Sequence, residues 1–326
     1  MALPTSVTYC ECWARDGLQS IPVVVPTDQK VEMIDRIIDS GVRKLEVTSF
    51  SHPKLLPQFA DCVEVLRRIQ RRPEVSYVVL MPNEKGFDRF EGCVKEGYGA
   101  DELILMISSS EAHNRVNFRM THEEAKRAHA AIMKRSHGLG VKVIGCAGTV
   151  YGCPILGDVP MRDVEDIVRF YLDEGAQTIM LGDTIGAANP KQVRERIGAL
   201  LARFPQAEFI AHFHDTRGTG IVNTVAALEL GLRYVDGSIG AIGGQPATGK
   251  AKYQFGFTGN VCSEDLLCLL EEMGVETGVN LGQLIENGKR AEEILGQPLR
   301  ANVIHTGPVI HEPRPYDPES GPQGGA

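Results

Sequence analysis

No stretch of the 326-residue sequence approaches the roughly 18 consecutive apolar residues that cross a bilayer. The first residues, MALPTSVTYCECWARDG, hold no charged segment leading into an apolar one. A soluble, cytoplasmic protein with no membrane partner is therefore expected. Positive charge is scarce too: 34 Lys and Arg face 42 Asp and Glu, and the net charge of −8 comes without a basic stripe, which argues against nucleic acid as a partner. Aromatics are few, at 6% with one Trp, yet 43% apolar residues suffice for a sizeable core, so disorder and collagen-like structure are excluded. The eight cysteines, at positions 10, 12, 62, 93, 146, 153, 262 and 268, include no CxxC pair. Their scatter suits reduced, buried thiols better than a disulfide frame.

What is present is an alternation. Short apolar, β-branched runs at Val7 to Trp13, Leu45 to Phe50, Tyr77 to Met81, Leu103 to Ile107, Val141 to Cys146, Thr178 to Leu181, Phe209 to Phe213 and Tyr234 to Ile242 make eight strand candidates. Segments of helical period separate them, among them Asp28 to Asp39, Pro57 to Arg71, Thr121 to His137, Asp163 to Glu174, Lys191 to Arg203 and Gly220 to Gly231. Eight βα repeats describe a TIM barrel, an α/β fold whose strands are covered on both sides and so read as nearly continuous apolar runs. The rival is an open doubly wound sheet, but no GxGxxG follows the first strand and the repeats continue to eight. Glu264 to Met273 and Leu281 to Leu295 add C-terminal helices, so residues 1–305 are expected to form the barrel with a helical extension. In residues 306–326, nine of 21 are Gly or Pro, and this tail is expected to be flexible or to dock on a neighbouring subunit.

Barrel active sites stand at the C-terminal ends of the strands. There the sequence places Arg15-Asp16-Gly17, Glu46 and Thr48, Ser108-Ser109-Ser110-Glu111, Gly182-Asp183-Thr184, His212-Phe213-His214-Asp215-Thr216 and Gly243-Gly244. His212 and His214, two apart on a strand, point to one face. With a carboxylate such as Asp16 they offer a mixed nitrogen and oxygen shell for a divalent ion; the alternatives are two core histidines bonded to backbone, or one ligand with the other histidine bonded behind it. Arg15 and Asp16 are either a surface ion pair or, at the mouth, a guanidinium for a developing enolate beside a cation ligand. Glu46, amid apolar residues, needs a partner, and Arg15 or a metal-bound water is expected. Asp183 is a catalytic candidate whose alternative is helix capping or hydrogen bonding within its loop.

The motifs then match a family. Arg15-Asp16-Gly17-Leu18-Gln19, Glu46-Val47-Thr48-Ser49-Phe50, Met81-Pro82-Asn83, Ser110-Glu111, Tyr151-Gly152-Cys153-Pro154, Leu181-Gly182-Asp183-Thr184-Ile185-Gly186, His212-Phe213-His214-Asp215-Thr216 and Gly259-Asn260 occur in the order in which 3-hydroxy-3-methylglutaryl-CoA lyases carry them, and the chain resembles that family over residues 5 to 290. The resemblance implies a magnesium or manganese ion held by Asp16, His212, His214 and Asn260, with Arg15 and Glu46 in the reaction. Gln19, Ser110, Thr184, Gln245 and Lys250 become candidate substrate contacts. An acyl-CoA thioester is the implied substrate, and a homodimer or homotetramer the implied assembly. Lys54, Arg115, Lys250 and Lys252 could meet CoA phosphates, against the alternative of solvated surface charges.

One departure stands out. Where the family's loop reads GGCP, with a cysteine that moves a proton, this chain reads Gly243-Gly244-Gln245-Pro246, and an amide cannot titrate. Tyr253, Cys153 or a bound water are the substitutes to consider. The expected activity is retro-aldol cleavage of a 3-hydroxyacyl-CoA. A 2-oxo-acid aldolase or Claisen-type condensing enzyme on the same barrel is one alternative, and a catalytically silent acyl-CoA-binding homologue is the other.

Overall fold

Lys44–Ser49 is buried at every position, and Thr178–Asp183 at all but its first, the signature of strands covered on both faces. In the computed structural model, which describes residues 3–244 and 258–312, these are two of eight parallel strands. They are β1 (Thr8–Glu11), β2 (Lys44–Ser49), β3 (Ser76–Leu80), β4 (Glu102–Ser108), β5 (Lys142–Gly148), β6 (Thr178–Asp183), β7 (Glu208–Phe213) and β8 (Tyr234–Gly237). Each pairs with the next, and β8 returns to β1 with Thr8 opposite Tyr234, so the barrel expected from the repeats closes.

The helices around it are α1 (Thr27–Asp39), α2 (Cys62–Arg68), α3 (Glu84–Lys95), α4 (Glu111–Phe118), α5 (His122–Gly138), α6 (Met161–Asp173), α7 (Pro190–Arg203) and α8 (Gly220–Leu228). The extension is α9 (Ser263–Glu272), α10 (Leu281–Leu295) and the short α11 (Asn302–Thr306), which runs one residue past the expected boundary at 305. The starts follow local chemistry. Thr121 and Glu124 close a capping box on α5, and Asn189 caps α7 with Pro190 in its first turn.

Four expectations need correction. The first strand stops at Glu11, where Trp13–Gly17 winds into a π-helical turn. The last stops at Gly237 and is followed by a 3-10 turn over Ile239–Ala241. Pro57 to Arg71 is divided at Ala60 and Asp61 into a 3-10 turn (Pro57–Phe59) and α2, which stops at Arg68, where Ile69 takes an extended backbone. Helices α3 and α4 are additions.

Inside the barrel, Val78, Ile104, Ile144, Cys146, Met180 and Ile210 fill the middle. At the N-terminal ends of the strands, Lys44 Nζ donates to both oxygens of Glu102 at 2.6 and 2.7 Å. At or just beyond the opposite ends of the strands lie the buried Arg15, Asp16, Asp183 and His214.

Candidate active site

The π-helical turn after β1 carries Arg15 and Asp16, 6% and 4% exposed. Its Gly17 N–H reaches back five residues to the Cys12 carbonyl at 3.0 Å. The surface-pair alternative is thereby ruled out. Arg15 donates through Nη1 to Asp16 Oδ1 at 2.7 Å and through Nε to Glu46. Glu46, fully buried, thus has the partner expected of it. The strand register slips between Glu46 and Thr48, an irregularity beside the site that re-aims a side chain. Burial works to lower the Arg15 pKa, but Glu46 and Asp16 more than reverse this and keep the guanidinium charged. Burial likewise works to raise the Asp16 pKa, while Arg15 and the two histidines hold it well below the usual carboxylate range.

His212 and His214 both point into the mouth, with Nε2 atoms 3.2 Å apart. His212 Nδ1 lies 2.8 Å from Asp236 Oδ2, and His214 Nδ1 lies 2.9 Å from the Thr184 carbonyl oxygen. Both of those oxygens can only accept, so each Nδ1 donates and the two Nε2 atoms are the ring positions left open toward one another. Two ring nitrogens this close are reconciled by a positive charge between them, a proton or a metal ion. Asp16 Oδ2 stands 3.5 Å from His214 Nε2, and one donor atom from each of Asp16, His212 and His214 lies within 4.8 Å of the others. Burial disfavours a charged His212, yet Asp236, Asp16 and Glu46 outweigh it and push its pKa up to about 9.

Asn260, at an isolated bridge to His214, completes the set. Its Nδ2 donates to Asp16 Oδ2 at 2.7 Å and to the Ile242 carbonyl at 3.0 Å. Its Oδ1 is buried without a hydrogen-bond partner among the described residues. An orphaned amide oxygen beside two imidazole lone pairs and a carboxylate is a donor set fit for a divalent ion. The charges agree, since three carboxylates, Asp16, Glu46 and Asp236, face the single guanidinium of Arg15 around this set and favour a cation there.

The other expected residues divide. Gln19 joins the site, with Nε2 3.4 Å from Asp16 Oδ1 and 3.5 Å from the Gly244 carbonyl. Thr184 holds His214 through its carbonyl, while its Oγ1 accepts from Thr149 N at 2.8 Å. Asp183 accepts from Ala187 N and Ala188 N at 2.8 and 3.1 Å, the loop bonding named as its alternative. Burial raises its pKa to about 6 against those bonds and the nearby His214 and His212. Ser110 caps α4, accepting from His113 N, and receives the Cys153 thiol at 3.1 Å. Cys153 Sγ also accepts from Ile155 N and Leu156 N at 3.3 Å, so this thiol braces the loop after β5. Arg115 pairs with Glu111 on the exposed face of α4. Gln245, Lys250, Lys252 and Tyr253 lie outside the described residues.

Sequence reasoning missed Asp236. It is 1% exposed on β8, across the ladder from Cys10. The available signal was a lone carboxylate in the strand Tyr234-Val235-Asp236-Gly237.

A family model described as HMGL-like matches residues 6–289. A hydroxymethylglutaryl-CoA lyase of Bacillus subtilis is 38% identical over 299 residues, 92% of this chain and 96% of the relative. The mitochondrial hydroxymethylglutaryl-CoA lyase of Homo sapiens is 36% identical over 286 residues, 88% of this chain and 85% of the relative. Among solved structures, an HMG-CoA lyase from Acinetobacter baumannii in complex with coenzyme A and 3-methylmalate superposes with a TM-score of 0.87 at 34% identity, covering 97% of this chain and all of that one.

Proposed function

The chain belongs to the HMGL-like family and is a carbon–carbon lyase, and from that premise we propose that it cleaves a 3-hydroxyacyl-CoA bearing a distal carboxylate, in the manner of HMG-CoA, by retro-aldol chemistry. The observation that carries this reading is the convergence of His212 Nε2, His214 Nε2, Asp16 and the unpartnered Asn260 Oδ1 beside the Arg15 guanidinium. The family is metal-dependent. We assign Mg²⁺ or Mn²⁺, because the set is oxygen and imidazole without thiolate. When bound, such an ion draws the substrate's 3-hydroxyl and a carbonyl together and makes the hydroxyl more acidic.

The remaining work belongs to side chains of this chain. Asp183, held by Ala187 N and Ala188 N near the two histidines, is the carboxylate we assign to take the hydroxyl proton. Arg15 is always charged, so it stabilises the thioester enolate released as the bond between C2 and C3 breaks. Glu46 fixes the guanidinium through Nε. Gln19 and Thr184 border the space the substrate enters. The proton that quenches the enolate comes from a group other than Gln245, whose amide does not titrate. No helix among the described residues is long and apolar enough to cross a membrane, and all eight cysteines are buried and unpaired, which supports a cytoplasmic setting. A homodimer or homotetramer completes the proposal.

A mass-spectrometric screen of 3-hydroxyacyl-CoAs with and without Mg²⁺ or Mn²⁺ tests the reading. Cleavage to an acyl-CoA and an oxo acid or ketone, dependent on the ion, is expected. Turnover of free 2-oxo acids without a thioester would assign an aldolase instead, and thioester binding without turnover a silent homologue.

A further inference from the structure

A charged carboxylate inside a barrel is unfavourable unless its oxygens are satisfied. Other buried acids of this chain obey that rule. Glu11 accepts from Trp13 N, Ile239 N, Ser263 Oγ and Tyr9 Oη, and Asp183 accepts from two backbone amides. Asp236 differs. Among the described residues its Oδ2 bonds to His212 Nδ1 alone, and its Oδ1, equally buried, has no partner. Among the described residues it holds no backbone group, caps no helix and closes no loop. The carboxylate therefore has one task, and that task is directed at His212.

We propose that Asp236 is a positioning residue for the metal site, fixing His212 with its proton on Nδ1 and its Nε2 lone pair aimed at the ion; this rests on the metal assignment made above. The geometry supports it at each step. β7 and β8 pair with Ala211 opposite Val235, which brings His212 and Asp236 side by side on the barrel interior. The contact is 2.8 Å, and ring and carboxylate are both buried. His214 has a neutral backbone carbonyl in the same role, so the two ligands are held by partners of unequal charge. An anionic partner makes the imidazole a better donor as well as orienting it. Of the two histidines, His212 is thus the more basic ligand, and the ion's affinity depends on Asp236.

Mn²⁺ titration of the chelator-treated protein, read by the electron paramagnetic resonance of free Mn²⁺, tests the inference on the parent, Asp236→Asn and His214→Ala. Asp236→Asn keeps the shape and an oxygen for the Nδ1 proton but removes the charge. Its Mn²⁺ affinity is expected to fall about ten- to a hundredfold, in the range for outer partners of ligating histidines, with the melting temperature of the metal-free protein unchanged or higher. A merely structural carboxylate would lower that melting temperature and leave the affinity of the folded fraction alone. An Asp236→Asn affinity within threefold of the parent, while His214→Ala loses the ion, would overturn the inference and leave the site standing. Retention of the ion by His214→Ala would overturn both. If Asp236→Asn does not fold, ¹⁵N-histidine spectra of the Mg²⁺-loaded parent decide: a His212 proton on Nδ1 supports the inference, and one on Nε2 refutes it.

Discussion

His212 and His214 face one another through Nε2 atoms 3.2 Å apart, each with its Nδ1 already engaged by an acceptor. The arrangement has a use only if something positive lies between them. It follows that His214→Ala abolishes metal-dependent turnover, while a fold that closes through eight strands survives the loss of one side chain at its rim. Metal content of the purified variant is the measurement; a content equal to the parent's removes His214 from the ligand set.

Arg15 meets charge that arises only as the carbon–carbon bond breaks, so its effect belongs in kcat. Arg15→Lys keeps the charge and loses the planar fork that reaches Glu46 and Asp16 together. A fall in kcat of about two to three orders of magnitude is expected, the range for loss of an electrostatic donor. Steady-state kinetics that show a change in KM alone would exclude this role.

Gly243 holds φ at +111°, and a Cβ there would lie 2.4 Å from Asn260 Nδ2 and 2.6 Å from the Asp16 carbonyl oxygen. Gly243→Ala is therefore expected to destabilise by roughly 1–3 kcal/mol and to weaken Mn²⁺ binding, because both obstructing groups belong to the ligand residues. Melting curves and Mn²⁺ titration check the two effects separately.

Glu264, in the first turn of α9 and buried, accepts from Gly240 N of the 3-10 turn and from the Cys262 thiol, and burial pushes its pKa up to about 8. The unfolded chain ionises this group near pH 4.5, so between about pH 4.5 and 8 the folded state binds the extra proton. Its contribution to stability is fully present below that window and is lost as pH rises through it. Glu264→Gln imitates the protonated form, and the melting temperature of the variant should gain on the parent by several degrees between pH 5 and 8.5. Parallel pH curves for the two proteins would show that Glu264 is already ionised in the fold.

The barrel was legible because strands such as β6 and β7 are buried on both faces, so that Ile179-Met180-Leu181 and Phe209-Ile210-Ala211 stand as short apolar runs. Helices α3 and α4 were not. Gly86 and Gly92 interrupt the period of the first, and the second spans eight residues rich in Asn and His. Asp16, His212 and His214 could be read from strand position alone, whereas Asn260 came only through resemblance, since no periodicity marks a loop residue that bridges to His214. The π-helical turn escaped because local propensity does not encode a five-residue hydrogen bond. Asp236 escaped because an Asp followed by Gly reads as a turn signal.

Gln245 is where this chain leaves its family's motif. If the substrate is HMG-CoA itself, cleavage by the parent should be slow and Gln245→Cys should quicken it. If the altered loop serves a different 3-hydroxyacyl-CoA, the parent should cleave that compound well and Gln245→Cys should bring no gain, which is the outcome expected here. Coupled assays on both substrates discriminate, and brisk turnover of HMG-CoA by the parent would refute both alternatives.

Gly244 N and Asn260 Nδ2 donate to the same oxygen of Asp16, at 3.2 and 2.7 Å. The chain between them thus departs from and returns to one atom. Two stretches of chain are thereby tied to a single peg, and neither donor can move without pulling on it. A substitution that displaces either donor is therefore passed to the carboxylate beside the histidines, so a change at Gly244 registers at His214 without touching it.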